Sequence, residues 1–154
     1  MRAWWPAAVW IVLITFESTG YLSAQNTGSI LYSILTHFFK HIDIQKFLVF
    51  HHYLRKTGHV IGYGVLSLLL LHGLRATFSQ VSAWAWRTGL LALIGTAVVA
   101  SLDEWHQSFI PSRTGTPRDV LLDSAAGMVF LLIARNWMNR THAQTSAPDY
   151  SKVE

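Results

Sequence analysis

With 154 residues, 51% of them hydrophobic and only 13% charged, and a mean hydropathy of +0.31, the chain is too apolar for a soluble domain of its size. Its formal charge of +4, from 12 Lys and Arg against 8 Asp and Glu, fits basic flanks beside anionic lipid. No basic stripe on a polar face points to nucleic acid. The absence of cysteine excludes disulfides and thiolate-held zinc or iron–sulfur centres, and leaves the compartment open.

The first apolar stretch, Trp4 to Phe16, is short for a hydrocarbon core and reaches spanning length only when extended through Tyr21 and Leu22, with Glu17 at the interface. Trp4, Trp5 and Trp10 suit an interfacial aromatic belt. A cleavable signal peptide is the rival reading, because Arg2 precedes the apolar core and Ser18 and Gly20 are small enough to flank a cut. Three bulky indoles and Pro6 make a poor apolar region for one. Further on, Ile30, Leu31, Ile34, Leu35, Phe38 and Phe39 share a helical face, with Ser33, Thr36, His37 and Lys40 elsewhere. That pattern predicts an amphipathic helix lying in the interface. Asp43 is placed to cap a second short helix carrying Phe47, Leu48, Phe50 and Leu54 towards the next segment.

A second span is predicted from about Gly58 to Leu74, with Arg75 at its exit. A third runs from Trp84 or Trp86 to Leu102, rich in the small residues Gly89, Gly95, Ala97 and Ala100 that allow close packing. Its helix is expected to continue past Asp103 and Phe109 until Pro111 ends it. The fourth has the clearest start: Thr116 as N-cap, Pro117 at the first helical position and Asp119 three residues after the cap, running to about Trp137. The expected fold is therefore an all-α membrane protein, a bundle of about four transmembrane helices with an interfacial amphipathic helical segment between the first and second. Residues 1–140 form the membrane domain, and residues 141–154 a polar, disordered tail.

Four spans put the start of the second helix and the loop between the third and fourth on one side. Lys56, His59 and Tyr63 then share one face of the second helix, Asp103 and Gln107 one face of the third, and Asp119, Asp123 and Gly127 one face of the fourth, with Arg113 in the loop. Each has a plain use. Lys56 suits a snorkelling flank, His59 a packed and hydrogen-bonded core residue, and Asp119 a helix cap. Asp123 resists such a use, since it lies about two turns inside an apolar helix, where an unpaired carboxylate is costly. A network that only clamps the helices is the collective alternative.

Arg55-Lys56-Thr57-Gly58-His59-Val60-Ile61-Gly62-Tyr63, and the stretch from Asp103-Glu104-Trp105-His106-Gln107-Ser108-Phe109 through Pro111 and Arg113 to Asp119, resemble the VanZ-like family of small membrane proteins. That family carries K-x-x-H-x-x-x-Y, then D-E-x-x-Q-x-F-x-P-x-R, then D-x-x-x-N/D followed by a Gly. Lys56, His59 and Tyr63 match the first pattern. Asp103, Glu104, Gln107, Phe109, Pro111 and Arg113 match the second, and Asp119, Asp123 and Gly127 the third. The resemblance implies a membrane protein of the cell envelope whose namesake is linked to glycopeptide antibiotic resistance. It implies no defined reaction.

Three functions compete. In the first, the protein binds or acts on a phosphate-bearing lipid or an envelope glycan precursor. Lys56 and Arg113 meet the anion, with Tyr63, Gln107, Asp119 and Asp123 around it, and Asp103, Glu104 and His59 exchange protons. In the second the same residues bind without turnover, and in the third they serve only as scaffold or a partner dock. No cofactor is indicated and no metal ligand is assigned. The carboxylates of Asp103, Glu104, Asp119 or Asp123 by themselves would suit magnesium or calcium, and no HExxH spacing points to zinc. The expected orientation has both termini cytoplasmic and the site outside. Lys and Arg then divide six and six, and the preference rests on setting Lys56 and Arg113 aside as site residues.

Overall fold

The computed structural model describes residues 2–39, 41–78 and 85–145. The chain is all-helical over these residues, with α1 at Trp5–Glu17, α2 at Ala24–Phe38, α3 at Ile44–Thr77, α4 at Trp86–Gln107 and α5 at Pro117–Thr145, and a single 3-10 turn at Gly20–Leu22. Three of these, α3, α4 and α5, are long and apolar enough to cross a membrane. The 13 residues of α1 rise about 20 Å against a hydrocarbon core of about 30 Å.

The core is built by α3, α4 and α5. α3 and α5 run parallel and pack directly on each other, with α4 antiparallel against both, and their contacts are close because small residues meet there. The Ser67 hydroxyl donates to the Gly127 carbonyl at 3.2 Å. A methyl group on Gly127 would stand 3.0 Å from the Thr96 side chain, and Ser67, Thr96 and Leu66 have no exposed surface. Without a water-driven hydrophobic effect inside a bilayer, such dense contact is what holds helices together.

α1 lies antiparallel along the outside of α3. The Trp4 indole donates to Thr77 Oγ1 at 2.9 Å and the Trp10 indole to the Gly62 carbonyl at 2.8 Å. Trp4 and Trp10 therefore tie helix to helix, and of the three N-terminal indoles expected in an interfacial belt only Trp5, 64% exposed, stands free of the bundle. Arg75 reaches Met138 at 3.1 Å, so the start of α1, the end of α3 and the later part of α5 gather at one end of the bundle.

Asp43 caps its helix as expected, its Oδ1 accepting from the backbone of Gln45 at 2.9 Å and Lys46 at 3.3 Å. The short helix and the second span expected after it are one helix of 34 residues, about 51 Å long. The polar run Arg55-Lys56-Thr57-Gly58 marks a change of surroundings and no break in the backbone, since Arg and Lys are good helix formers and no proline intervenes. α2 folds back antiparallel on the first half of α3, with Tyr32 edge-on to Phe47 at 5.0 Å and Gly28 against His51. Ile30, Ile34 and Phe38 are left facing outwards.

α4 ends at Gln107, earlier than the expected stop at Pro111, and beyond it the backbone tightens to i−3 bonds, Phe109 N–H to the His106 carbonyl at 3.2 Å and Ile110 N–H to the Gln107 carbonyl at 3.0 Å. α5 starts where expected, at Pro117, and runs to Thr145, past Trp137 and into the stretch expected to be a polar tail. Trp84, the alternative start of the third span, and residues 146–154 lie outside the described residues.

Candidate functional site

At the end of the bundle where α3 passes the start of α5, three successive rungs join the helices. Lys56 Nζ forms an ion pair with Asp119 Oδ1. Asp119 also completes its cap, its N–H donating to Thr116 Oγ1 at 3.3 Å while the Thr116 hydroxyl donates to Asp119 Oδ2 at 3.0 Å. One turn deeper, His59 Nδ1 faces Asp123 Oδ2 at 3.3 Å. Deeper again, the Tyr63 hydroxyl donates to Asp103 Oδ2 at 2.9 Å, and Gln107 Nε2 donates to the same oxygen at 2.9 Å. The heptad-like spacing of Lys56, His59 and Tyr63 thus aims all three at carboxylates on neighbouring helices.

Glu104, one residue on from Asp103, turns to the loop, and its Oε2 accepts the Thr116 N–H at 2.7 Å. This bond pins the first turn of α5 to the last turn of α4. Gly115 makes the approach feasible: a Cβ there would lie 2.1 Å from the Glu104 carbonyl oxygen and 2.9 Å from the Ser108 nitrogen. Gly115 lies inside the matching stretch, but its role depends on a distance across the loop that no spacing reveals.

Arg113 is placed differently from the expectation of a fork open to phosphate. Its Nη2 donates to the carbonyls of Glu17, Thr19 and Leu22, and its Nε to Thr19. The guanidinium therefore satisfies the free carbonyls at the end of α1 and in the following turn. Burial first, then the charge of Arg55, draws its pKa down, yet a guanidinium stays charged in proteins. Arg55 does a similar task, donating to the Leu22 carbonyl at 2.8 Å. The Ser18 hydroxyl meets His106 Nδ1 at 3.2 Å. Sequence reasoning singled out neither Arg55 nor His106 for these contacts.

Between this polar end and the α2–α3 hairpin lies a cavity of about 500 Å³. Lys56, His59, Glu104, Gln107, Arg113 and Asp119 line it on the bundle side, and Gly28, Tyr32, Phe47, Leu48, His51 and His52 on the hairpin side. Of the nine residues expected at the site these six reach the cavity, whereas Tyr63, Asp103 and Asp123 stand behind its wall. The hairpin side was expected to be an interfacial helix, and nothing in its sequence marked it as a cavity wall.

One group among the described residues has the makings of a cation site. His59, Glu104 and Asp123 each offer a donor atom, and these atoms lie within 4.8 Å of one another. Asp123 is fully buried, and its Oδ1 has no hydrogen-bond partner among the described residues.

The family described as VanZ/LLP1 matches the chain over residues 3–139, nearly its whole length. No curated protein and no solved structure matches it.

Proposed function

The chain belongs to the VanZ/LLP1 family, and from that premise and the geometry of its polar end we propose that it is a membrane protein of the cell envelope that binds a phosphate-bearing lipid or envelope glycan precursor at one membrane interface. The observation that carries this reading is the cavity of about 500 Å³, within the size range of small-molecule sites. Its two walls differ in chemistry: one has the ammonium of Lys56, the other Phe47, Leu48 and Tyr32. An amphiphile has the same division. Lys56 pairs with Asp119 through one of its three donors, and its side chain keeps 35% exposure, so it has N–H groups to offer an incoming oxyanion.

His59 and Glu104 both open on the cavity and are the groups within reach to exchange a proton with a bound headgroup. Asp103, held by Tyr63 and Gln107, acts behind them as a positioning residue. α1 completes a fourth crossing with its flanking turns, both termini are cytoplasmic and the cavity faces outside. A reporter fused after Glu154 that works only outside the cytoplasm would refute that orientation. If the ligand is an envelope precursor, glycopeptide susceptibility changes with its capture.

The test is native mass spectrometry of the chain released from nanodiscs of equal phosphatidylglycerol, phosphatidylethanolamine and neutral glycolipid. Retention of the phosphate-bearing lipids is expected, falling about tenfold in Lys56→Gln, the equivalent of one charge-assisted hydrogen bond. Equal retention of neutral and phosphate lipids, or no change in Lys56→Gln, would overturn the reading. A second reading, a purely structural network, is favoured by one observation: Lys56, Tyr63, Asp103, Gln107 and Arg113 all have partners within the chain. It predicts no lipid preference at all.

A further inference from the structure

We propose that His59, Glu104 and Asp123 hold one divalent transition-metal ion, of zinc or manganese type, behind the cavity wall. The three residues come from three helices, α3, α4 and α5, and their donor atoms lie within 4.8 Å of one another. In a tetrahedral site with bonds of about 2.1 Å, ligand atoms stand about 3.4 Å apart. His59 Nδ1 and Asp123 Oδ2 are already 3.3 Å apart, long for a hydrogen bond to a carboxylate and close to the edge of such a polyhedron. The two edges to Glu104 lie within 4.8 Å, and a small turn of its carboxylate about the Thr116 bond shortens both.

Independent of that geometry is the state of Asp123. It has no exposed surface, it sits inside an apolar helix, and its Oδ1 has no hydrogen-bond partner among the described residues. A buried carboxylate with an orphaned oxygen is a costly arrangement, and a cation at the centre of the three residues removes the cost. Glu104 is oriented by the Thr116 N–H on its Oε2, as supporting hydrogen bonds orient metal-bound carboxylates, and its second oxygen is left for the ion. One imidazole and two carboxylates suit zinc or manganese better than calcium, which takes six to eight oxygens.

Asp123 closes the site from behind, whereas His59 and Glu104 also line the cavity. The open coordination positions of the ion therefore point to the cavity, where water or a ligand oxygen takes them. The metal site shares His59 and Glu104 with the headgroup reading, and an ion held by them replaces their proton exchange. An ion bound without lipid preference upholds the metal site and refutes the phosphate-lipid reading.

The experiment uses the full chain in detergent, stripped with EDTA, equilibrated with zinc or manganese chloride, desalted and analysed by elemental mass spectrometry. One ion per chain is expected. Asp123→Asn is expected to reduce occupancy by more than about tenfold, since even loss of an outer-shell partner costs 10–100-fold, while His72→Ala, at an exposed histidine, keeps the ion. Failure of the unaltered chain to retain metal, or full retention in a folded Asp123→Asn variant, overturns the site. Should Asp123→Asn not fold, X-ray absorption of the zinc-loaded unaltered chain decides. A shell of oxygens with a single imidazole nitrogen at about 2.0–2.2 Å supports the site, and two or more imidazoles place the ion elsewhere.

Discussion

The three-helix core and the α2–α3 hairpin are built to different standards of packing. In the core, Leu66, Ser67, Ala92, Thr96, Ala100 and Asp123 have no exposed surface, and glycines admit neighbouring side chains at contact distance. In the hairpin, Gly28 is the one buried residue of α2, and the helix is held mainly by Tyr32 on Phe47, Thr27 on His51 and Arg55 on Thr27. The chemical groups sit on the core, and the hairpin supplies the other wall of the cavity. A rigid base keeps His59, Glu104 and Asp123 in register, while a lightly held wall is able to move at small cost and admit a bulky ligand.

The contrast breaks most severely at the joint between α4 and α5. Gly115→Ala drives a methyl group into the Glu104 carbonyl, and no rotamer relieves a clash with backbone. The loop must shift, the Glu104–Thr116 bond is lost, and a destabilisation of more than about 3 kcal/mol is expected, the class of strain combined with a broken buried hydrogen bond. Thermal unfolding in detergent checks it, and a melting temperature within a degree of the unaltered chain would show that the joint is not tight.

Arg113 ties the α4–α5 loop to the end of α1 and the turn that leads into the hairpin, and replacing it should have an intermediate effect. Lys at this position keeps a charge but has no planar fork to reach the carbonyls of Glu17, Thr19 and Leu22 together. Arg113→Lys is expected to cost about 1.5–3 kcal/mol, the range for hydrogen bonds to a charged group. Proteolysis at residues 18–23 should speed up before α3, α4 and α5 are affected. Unaltered proteolysis with lower phosphate-lipid retention would instead return Arg113 to the role of an anion fork.

The smallest effect is expected in the hairpin. Tyr32→Ala removes the edge contact with Phe47, worth about 1 kcal/mol beyond area burial. Hydrogen exchange should rise in Ala24–Phe38 and stay unchanged across Trp86–Gln107. Exchange rising equally in both would mean that hairpin and core unfold as one unit, and the division drawn between them would fail.

The sequence by itself determined the all-helical class, the cap and start of α5 at Thr116 and Pro117, the cap at Asp43, and the convergence of Lys56, His59, Asp103, Glu104, Arg113, Asp119 and Asp123 at one end. The caps are local matters, each set by three or four consecutive residues, and the convergence follows from helical periodicity together with the alternation of successive spans. Only the tertiary structure decided which partner each polar group takes. It gave Arg113 to three carbonyls instead of an open fork, put Tyr63 on Asp103, joined the expected short helix and second span into α3, and turned α2 into a cavity wall. Hydropathy records the solvent around a segment and not the continuity of its backbone, so it saw a break at Arg55–Gly58 where the helix simply leaves one environment for another. The orphaned Asp123 oxygen beside His59 and Glu104 belongs to the same class. Three residues from three helices, 64 positions apart at the widest, become neighbours only when the bundle closes.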